Sequence, residues 1–237
     1  MPADGEAPAV KLAGRDTWVF DLDNTLYPAE CDLFAQIDQR MTDFVARFLR
    51  LDRDVARATQ KKYYAEHGTT LNGLMTMHGM KPEEFLAHVH EIDLSPLPRS
   101  PELVSAIKAL PGKKYVYTNG SRRHAERVTE YMGLGEVFDG RFGIEDSIYT
   151  PKPAQSSYDA FCERFKITPN RAVFFEDLAR NLAPAHAMGF ATVLVHSEKD
   201  WSHEPAAARP AGIGDDQPPH IDYATGNLTQ FLQSLTT

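Results

Sequence analysis

Thr17-Trp18-Val19-Phe20-Asp21-Leu22-Asp23-Asn24-Thr25 is the stretch on which the reading of this chain turns. A short β-prone run stops abruptly at two acids, an asparagine and a threonine, as a buried parallel strand does where it enters a polar loop. Four later runs share that character: Lys114-Tyr115-Val116-Tyr117-Thr118, Arg141-Phe142-Gly143-Ile144, Ala172-Val173-Phe174-Phe175-Glu176 and Ala191-Thr192-Val193-Leu194-Val195. Helical spacing is predicted between most of them: over 121–132 with Gly133 as the stop, over 154–165, and over 178–188 ending at Gly189. Strands alternating with helices predict an α/β fold, a parallel sheet sandwiched by helices, over residues 10–28 and 99–237.

Working outward, residues 29–98 carry no strand signal. Leu33, Phe34, Ile37, Met41, Phe44, Val45, Phe48 and Leu49 follow helical spacing, with Asp32 placed to cap them. The stripe from Phe34 to Phe48 is read as core packing. Further helices are predicted over 53–67 (stopped by Gly68), 71–78 (stopped by Gly79) and 82–91, where Pro82 suits a first turn. Ser95-Pro96-Leu97-Pro98-Arg99-Ser100-Pro101 then marks a linker back to the sheet. An all-helical insertion of this size on a βα loop is long for a connection and reads as a lid-like cap domain. Residues 199–219 read as an irregular loop and 227–235 as a closing helix.

The 237 residues are 42% hydrophobic and 24% charged, which excludes disordered and fibrous classes. A net charge of −8 argues against binding a nucleic-acid polymer but leaves small anionic ligands open. The opening MPADGEAPAVKLAGRD has neither the basic nor the apolar region of a signal peptide, and residues 1–9 are expected to be a mobile tail. No run is long enough for a membrane span. Cys31 and Cys162 are the only cysteines and lie far apart, so a reducing cytoplasm is the expected compartment. The sequence leaves the oligomeric state open.

In open parallel sheets, ligands bind at the carboxyl ends of strands, near a reversal of strand order. The polar residues expected there are Asp21 and Asp23 after the first strand, Thr118 and Asn119 after the second, Lys152 beyond the third, and Glu176 and Asp177 at the fourth. Four converging carboxylates repel one another, so either some are protonated or a cation sits among them. Hard oxygen ligands, with no His or Cys expected nearby, favour Mg²⁺. Metal and lysine together would neutralise a phosphoryl group. One carboxylate could attack phosphorus, and another two residues on could protonate the departing oxygen and then deprotonate water.

On these residues the chain resembles the haloacid-dehalogenase superfamily of phosphatases. The DxDxT signature is Asp21-Leu22-Asp23-Asn24-Thr25, the second motif Tyr117-Thr118-Asn119-Gly120, the third Lys152 in Pro151-Lys152-Pro153, and the fourth Phe175-Glu176-Asp177. The resemblance implies a Rossmann-like core with a C1-type helical cap. It makes Asp21 the nucleophile and a metal ligand, and Asp23 the acid/base, offering its backbone carbonyl to the metal. Thr118 would hydrogen-bond phosphoryl oxygens, with Asn119 beside it at the substrate, and Lys152 would hold nucleophile and phosphate. Asp177 would anchor Mg²⁺, helped by Glu176, while Asn181 stands where many relatives carry a second acid. The strings DLDNTLYP, TNG and FFEDLARNL are similar to the pyrimidine 5′-nucleotidase branch, which implies a nucleoside monophosphate substrate such as UMP or CMP.

Other functions share parts of this pattern. A phosphatase or phosphomutase of another small metabolite, such as a sugar phosphate, would carry the same motifs. A haloacid dehalogenase would need neither Asp23 nor a metal on Asp177. A phospho-accepting signalling receiver would lack the helical insertion. Beyond the motifs, Arg122, Arg123 and His124 read as a solvated basic cluster more readily than as substrate contacts, and most of the nine histidines as surface residues. Tyr27 is as readily a packing aromatic as a substrate contact.

Overall fold

In the computed structural model, which describes residues 12–201 and 218–236, the decisive stretch forms strand β1, Thr17–Phe20, with Trp18, Val19 and Phe20 buried. The other strands are β2 (Lys113–Tyr117), β3 (Gly140–Phe142), β4 (Ala172–Glu176), β5 (Ala191–Val195) and β6 (Tyr223–Thr225). They form one six-stranded sheet in the order β3-β2-β1-β4-β5-β6, with every pair parallel. The chain runs outward from β1 to β3 and then returns to β4 on the other side of β1. The strand order therefore reverses between β1 and β4, where a crevice opens at the strands' carboxyl ends. The expected tail at residues 1–9 and most of the 199–219 loop lie outside the described residues.

Four helices separate β1 from β2 before the return: α1 (Leu33–Leu49), α2 (Arg53–His67), α3 (Thr70–His78) and α4 (Pro82–Val89). Asp32 does not cap α1 through its side chain, contrary to expectation. It sits at φ 59°, ψ 22° and makes no cap bond, because capping needs an extended backbone. Its carboxylate is paired instead with Lys199. α5 (Pro101–Ala109) brings the chain back, with the Ser100 hydroxyl accepting the Leu103 N–H at 3.2 Å. The remaining helices are α6 (Arg122–Tyr131), α7 (Gln155–Phe165), α8 (Ala179–Met188) and α9 (Leu228–Ser234).

Side chains on successive strand residues point to opposite faces, and both faces are apolar. Trp18, Phe20, Val116, Val173, Phe175 and Val193 enter one hydrophobic cluster, shared with α5, α6, α9 and the four inserted helices. Val19, Tyr115, Tyr117, Phe142 and Phe174 enter a second, shared with α7 and α8. Phe20 stacks on Phe175 with ring centroids 4.7 Å apart, which locks β1 to β4 at the strand ends that carry the acids. Among the described residues, no helix is long and apolar enough to cross a membrane.

Candidate active site

The sheet register sets the site. The Asp21 N–H donates to the Phe175 carbonyl at 2.9 Å, so the ladder continues one residue past β1 and brings Asp21 beside the end of β4. After Leu22 the chain must turn sharply. Asn24 adopts φ 62°, a left-handed conformation that asparagine tolerates better than most residues, and the Leu26 N–H closes back on the Leu22 carbonyl at 3.0 Å.

Lys152 is buried at the centre. Its Nζ donates to Asp21 Oδ1 at 2.7 Å, Glu176 Oε2 at 2.7 Å and the Tyr117 carbonyl at 2.9 Å, so all three ammonium protons are engaged. The rings of Tyr117 and Phe174 lie 4.9 and 5.3 Å from the ammonium. Asn119 grips the same residue by its backbone: Oδ1 accepts the Lys152 N–H at 2.8 Å and Nδ2 donates to the Lys152 carbonyl at 3.2 Å. The Asn119 side chain thus fixes the lysine. Thr118 is buried, and its hydroxyl oxygen accepts the Gly120 N–H at 2.9 Å. Glu176 has both oxygens occupied, Oε2 by Lys152 and Oε1 by the Leu178 N–H at 3.1 Å.

Asp21, Glu176 and Asp177 can bring one carboxylate oxygen each within 4.8 Å of one another, and all three are buried. Burial and repulsion from Glu176 push Asp21 up to about 8, against the opposing pull of Lys152. Burial, Glu176 and Asp21 raise Asp177 well above the ordinary carboxylate range. Glu176 is held low, since Lys152 and its hydrogen bonds outweigh its burial. One ammonium cannot balance three carboxylates, so the remaining charge demands protons or a divalent cation. An all-oxygen donor set fits Mg²⁺. Asn181 adds a buried Oδ1 with no hydrogen-bond partner, a neutral oxygen suited to a cation's water shell.

Asp23 faces the other way. The Tyr27 hydroxyl donates to its Oδ1, and His124 Nε2 lies 3.2 Å from the same oxygen. Burial alone would raise this carboxyl, but the His124 ring and the two hydrogen bonds hold it below its ordinary value. His124 and His90 are both buried and stack with ring centroids 4.3 Å apart. The expectation of surface histidines, and of none near the acids, is wrong for this pair.

Above the acids lies a cavity of about 470 Å³ whose lining joins Asp21, Asp177 and Thr118 to Phe34, Met41 and Leu86 of the inserted helices. The stripe read as pure core packing therefore also supplies wall: Phe34 and Met41 are only partly buried, while Leu33, Ile37, Phe44 and Val45 are fully so. Arg180, at the start of α8, donates to the Tyr64 hydroxyl of α2 and lies 5.0 Å from its ring, tying the insertion to the sheet domain.

Residues 16–189 match the family of haloacid dehalogenase-like hydrolases. The chain belongs to that family. Among similar proteins, phosphate metabolism protein 8 of Saccharomyces cerevisiae is 26% identical over 216 residues, covering 80% of this chain. The chain spans only 64% of that relative's length. A phosphoglycolate phosphatase of Pasteurella multocida is also 26% identical, over 83% of this chain and 92% of its own. Of solved structures, a HAD phosphatase from Thermococcus onnurineus aligns with a TM-score of 0.58 at 20% identity, over 88% of this chain and 92% of that one. The L-2-haloacid dehalogenase of Xanthobacter autotrophicus with chloropropionic acid covalently bound aligns at 0.55 and 15% identity, over 92% and 97%. At these identities the structural likeness concerns fold.

For this hydrolase, the structure brings Asp21, Lys152, Glu176 and Asp177 together and lines the same cavity with Asp23, Thr118 and Asn119. Sequence reasoning missed His124 because it stands third in a basic cluster at a helix start. Its spacing to buried Val128, four residues on, marks the inward face of α6.

Proposed function

We propose that this hydrolase is a Mg²⁺-dependent phosphomonoesterase of small phosphorylated metabolites, working through an aspartyl-phosphate on Asp21. Pyrimidine nucleoside 5′-monophosphates are the substrate class favoured by the DLDNTLYP, TNG and FFEDLARNL strings. The observation that carries the reading is Asp21 itself: Lys152 fixes its Oδ1 at 2.7 Å while the residue lines the cavity, leaving Oδ2 to attack. The names of the similar phosphatases support the reaction type.

Asp21 Oδ2 forms a bond to phosphorus as the bond to the leaving oxygen breaks, and Asp23 gives that oxygen a proton. Water then attacks the same phosphorus, its proton passes to Asp23, and the Asp21–phosphorus linkage breaks to release phosphate. Lys152 keeps the nucleophile oriented, while Thr118 and Asn119 line the phosphate end. Asp21, Asp177 and the Asp23 carbonyl would hold Mg²⁺, which when bound supplies positive charge to the phosphoryl oxygens. Glu176, engaged by Lys152 and Leu178, is left to orient the lysine. Residues 29–98 act as the cap over a core of 10–28 and 99–237, and select the leaving group. The two free cysteines suit the cytoplasm.

Phosphate release from UMP, CMP, AMP, GMP, sugar phosphates and p-nitrophenyl phosphate, with Mg²⁺ and with EDTA, tests this. UMP or CMP should be turned over fastest and EDTA should abolish activity. Sugar phosphates turned over about a hundredfold faster than any nucleotide would end the nucleotidase reading. Halide release from a 2-haloacid in EDTA, without phosphate release, would end the phosphatase reading.

A further inference from the structure

We propose that His124 and Tyr27 position Asp23 so that Oδ2 alone serves the leaving group, and that His90, arriving from the inserted helices, holds the His124 ring in place. The proposal rests on the acid/base reading of Asp23 and goes beyond it in naming what aims the carboxyl.

Both donors, the Tyr27 hydroxyl and His124 Nε2, converge on Oδ1. An oxygen that accepts two hydrogen bonds from buried protein groups is withdrawn from proton exchange, so a proton on this carboxyl resides on Oδ2. The Asp23 side chain keeps 17% exposure while the His124 side chain has none, so the carboxyl reaches the cavity and the imidazole does not. His124 is therefore a positioning residue, separated from substrate by the group it holds.

The fold itself does not need this imidazole. The ring occupies the inward face of α6 with Ala125 and Val128, where an aliphatic side chain would pack without polar atoms. Its Nδ1 is buried with no hydrogen-bond partner, a cost that an apolar residue would avoid. The other ring nitrogen, Nε2, faces a carboxylate oxygen that can only accept, so Nε2 is the donor of this contact. The cap of α6 uses only the His124 backbone, whose N–H donates to the Ser121 hydroxyl at 3.1 Å. The ring's polar contact is thus Asp23, and its flat face meets His90 at an interplanar angle of 10°. His90 follows α4 directly. Its Nδ1 lies 3.0 Å from the Ser121 hydroxyl and its carbonyl accepts from Arg127 at 2.7 Å, so the stack is anchored at the junction of insertion and sheet domain.

The test exploits leaving groups. An alkoxide needs a proton to depart, whereas p-nitrophenolate leaves without one. For the alkyl monoester that the protein hydrolyses fastest and for p-nitrophenyl phosphate, kcat and KM are measured with Mg²⁺ in wild type, Asp23→Asn, His124→Ala, His124→Gln and Tyr27→Phe. Asp23→Asn should lower kcat for the alkyl ester by about a hundredfold or more, and for the aryl ester by much less. His124→Ala should lower kcat for the alkyl ester about tenfold relative to the aryl ester, with KM little moved. His124→Gln, whose amide restores a donor, should recover most of that ratio. Tyr27→Phe removes one hydroxyl from an intact ring and should shift the ratio in the same direction even if His124→Ala folds poorly. Equal losses on both esters in the His124 and Tyr27 variants, with the leaving-group dependence intact in Asp23→Asn, would overturn the positioning proposal alone. No leaving-group dependence in Asp23→Asn would overturn the acid/base role and the proposal with it.

Discussion

The edge of the sheet and the helical insertion enclose the same cavity with opposite kinds of surface. At the sheet edge Lys152 and Glu176 are charged, buried and fully engaged, each 1% exposed and sharing a 2.7 Å contact. Across the cavity, the wall contributed by α1 and α4 is chiefly apolar, with Phe34, Met41 and Leu86, and its charged cluster is looser. There Asp38 accepts Lys61 and Arg57 at 2.8 Å and Gln60 at 2.6 Å, while Lys61 stays 19% exposed. The difference follows from backbone. Parallel strands fix the relative positions of Asp21, Glu176 and Asp177 through their register, whereas helix-borne side chains are fixed only by packing. On the proposed function, geometry needed by every substrate would belong on the sheet, and shape that distinguishes substrates on the insertion.

The largest effect should come from Asp21→Asn. The amide is nearly isosteric and its Oδ1 can still accept from Lys152, so the fold should survive, yet it cannot attack phosphorus. Turnover of p-nitrophenyl phosphate should fall by about a thousandfold or more. Stopped assays on protein checked for deamidation by mass spectrometry measure it. Retention of a tenth of the activity would move the nucleophile elsewhere and leave the sheet edge with no special standing over the insertion.

A lysine from each region sharpens the contrast in stability. Lys152→Met strips the cation from between Asp21 and Glu176, so buried carboxylates lose their partner and unfolding free energy should drop by about 3 kcal/mol. Lys61→Met removes a partly exposed cation from Asp38, which keeps Arg57 and Gln60, and should cost about 1 kcal/mol or less. Urea denaturation of both variants gives the comparison. Equal losses would mean that burial does not separate the two clusters.

The sheet edge was also the more legible region in the sequence. Thr17–Phe20, Ala172–Glu176 and Ala191–Val195 stand out because strands covered on both faces need unbroken apolar runs. Tyr223–Thr225 escaped notice because a three-residue edge strand, with none of its residues buried, carries no such run. The placement of the motif acids at the strand ends was readable, but not the division of contacts between them. Only the structure shows Glu176 occupied by Lys152 and Leu178 while Asp23 turns toward Tyr27 and His124. Of those partnerships, Asp23 with His124 joins residues 101 positions apart and no local pattern encodes it, whereas Tyr27 stands only four residues from Asp23.

The insertion's own contribution should be smaller and should appear as selectivity. Phe34 projects from the first turn of α1 onto the cavity wall and is only partly buried, so trimming it enlarges the cavity more than it empties the core. On the proposed pyrimidine-nucleotide reading, an aromatic face here would suit a flat base, and the room it takes would count against a larger purine. Phe34→Ala should therefore reduce the kcat/KM ratio of UMP to AMP by about tenfold, within the range that one apolar contact can discriminate. Activity toward p-nitrophenyl phosphate should fall by less, because the proposed phosphate end of the cavity lies at the sheet. Steady-state kinetics on the three substrates, in one buffer with Mg²⁺, give the answer. An unchanged UMP to AMP ratio with both rates reduced alike would place Phe34 in packing, and the selection of leaving groups would have to move to other residues of the wall.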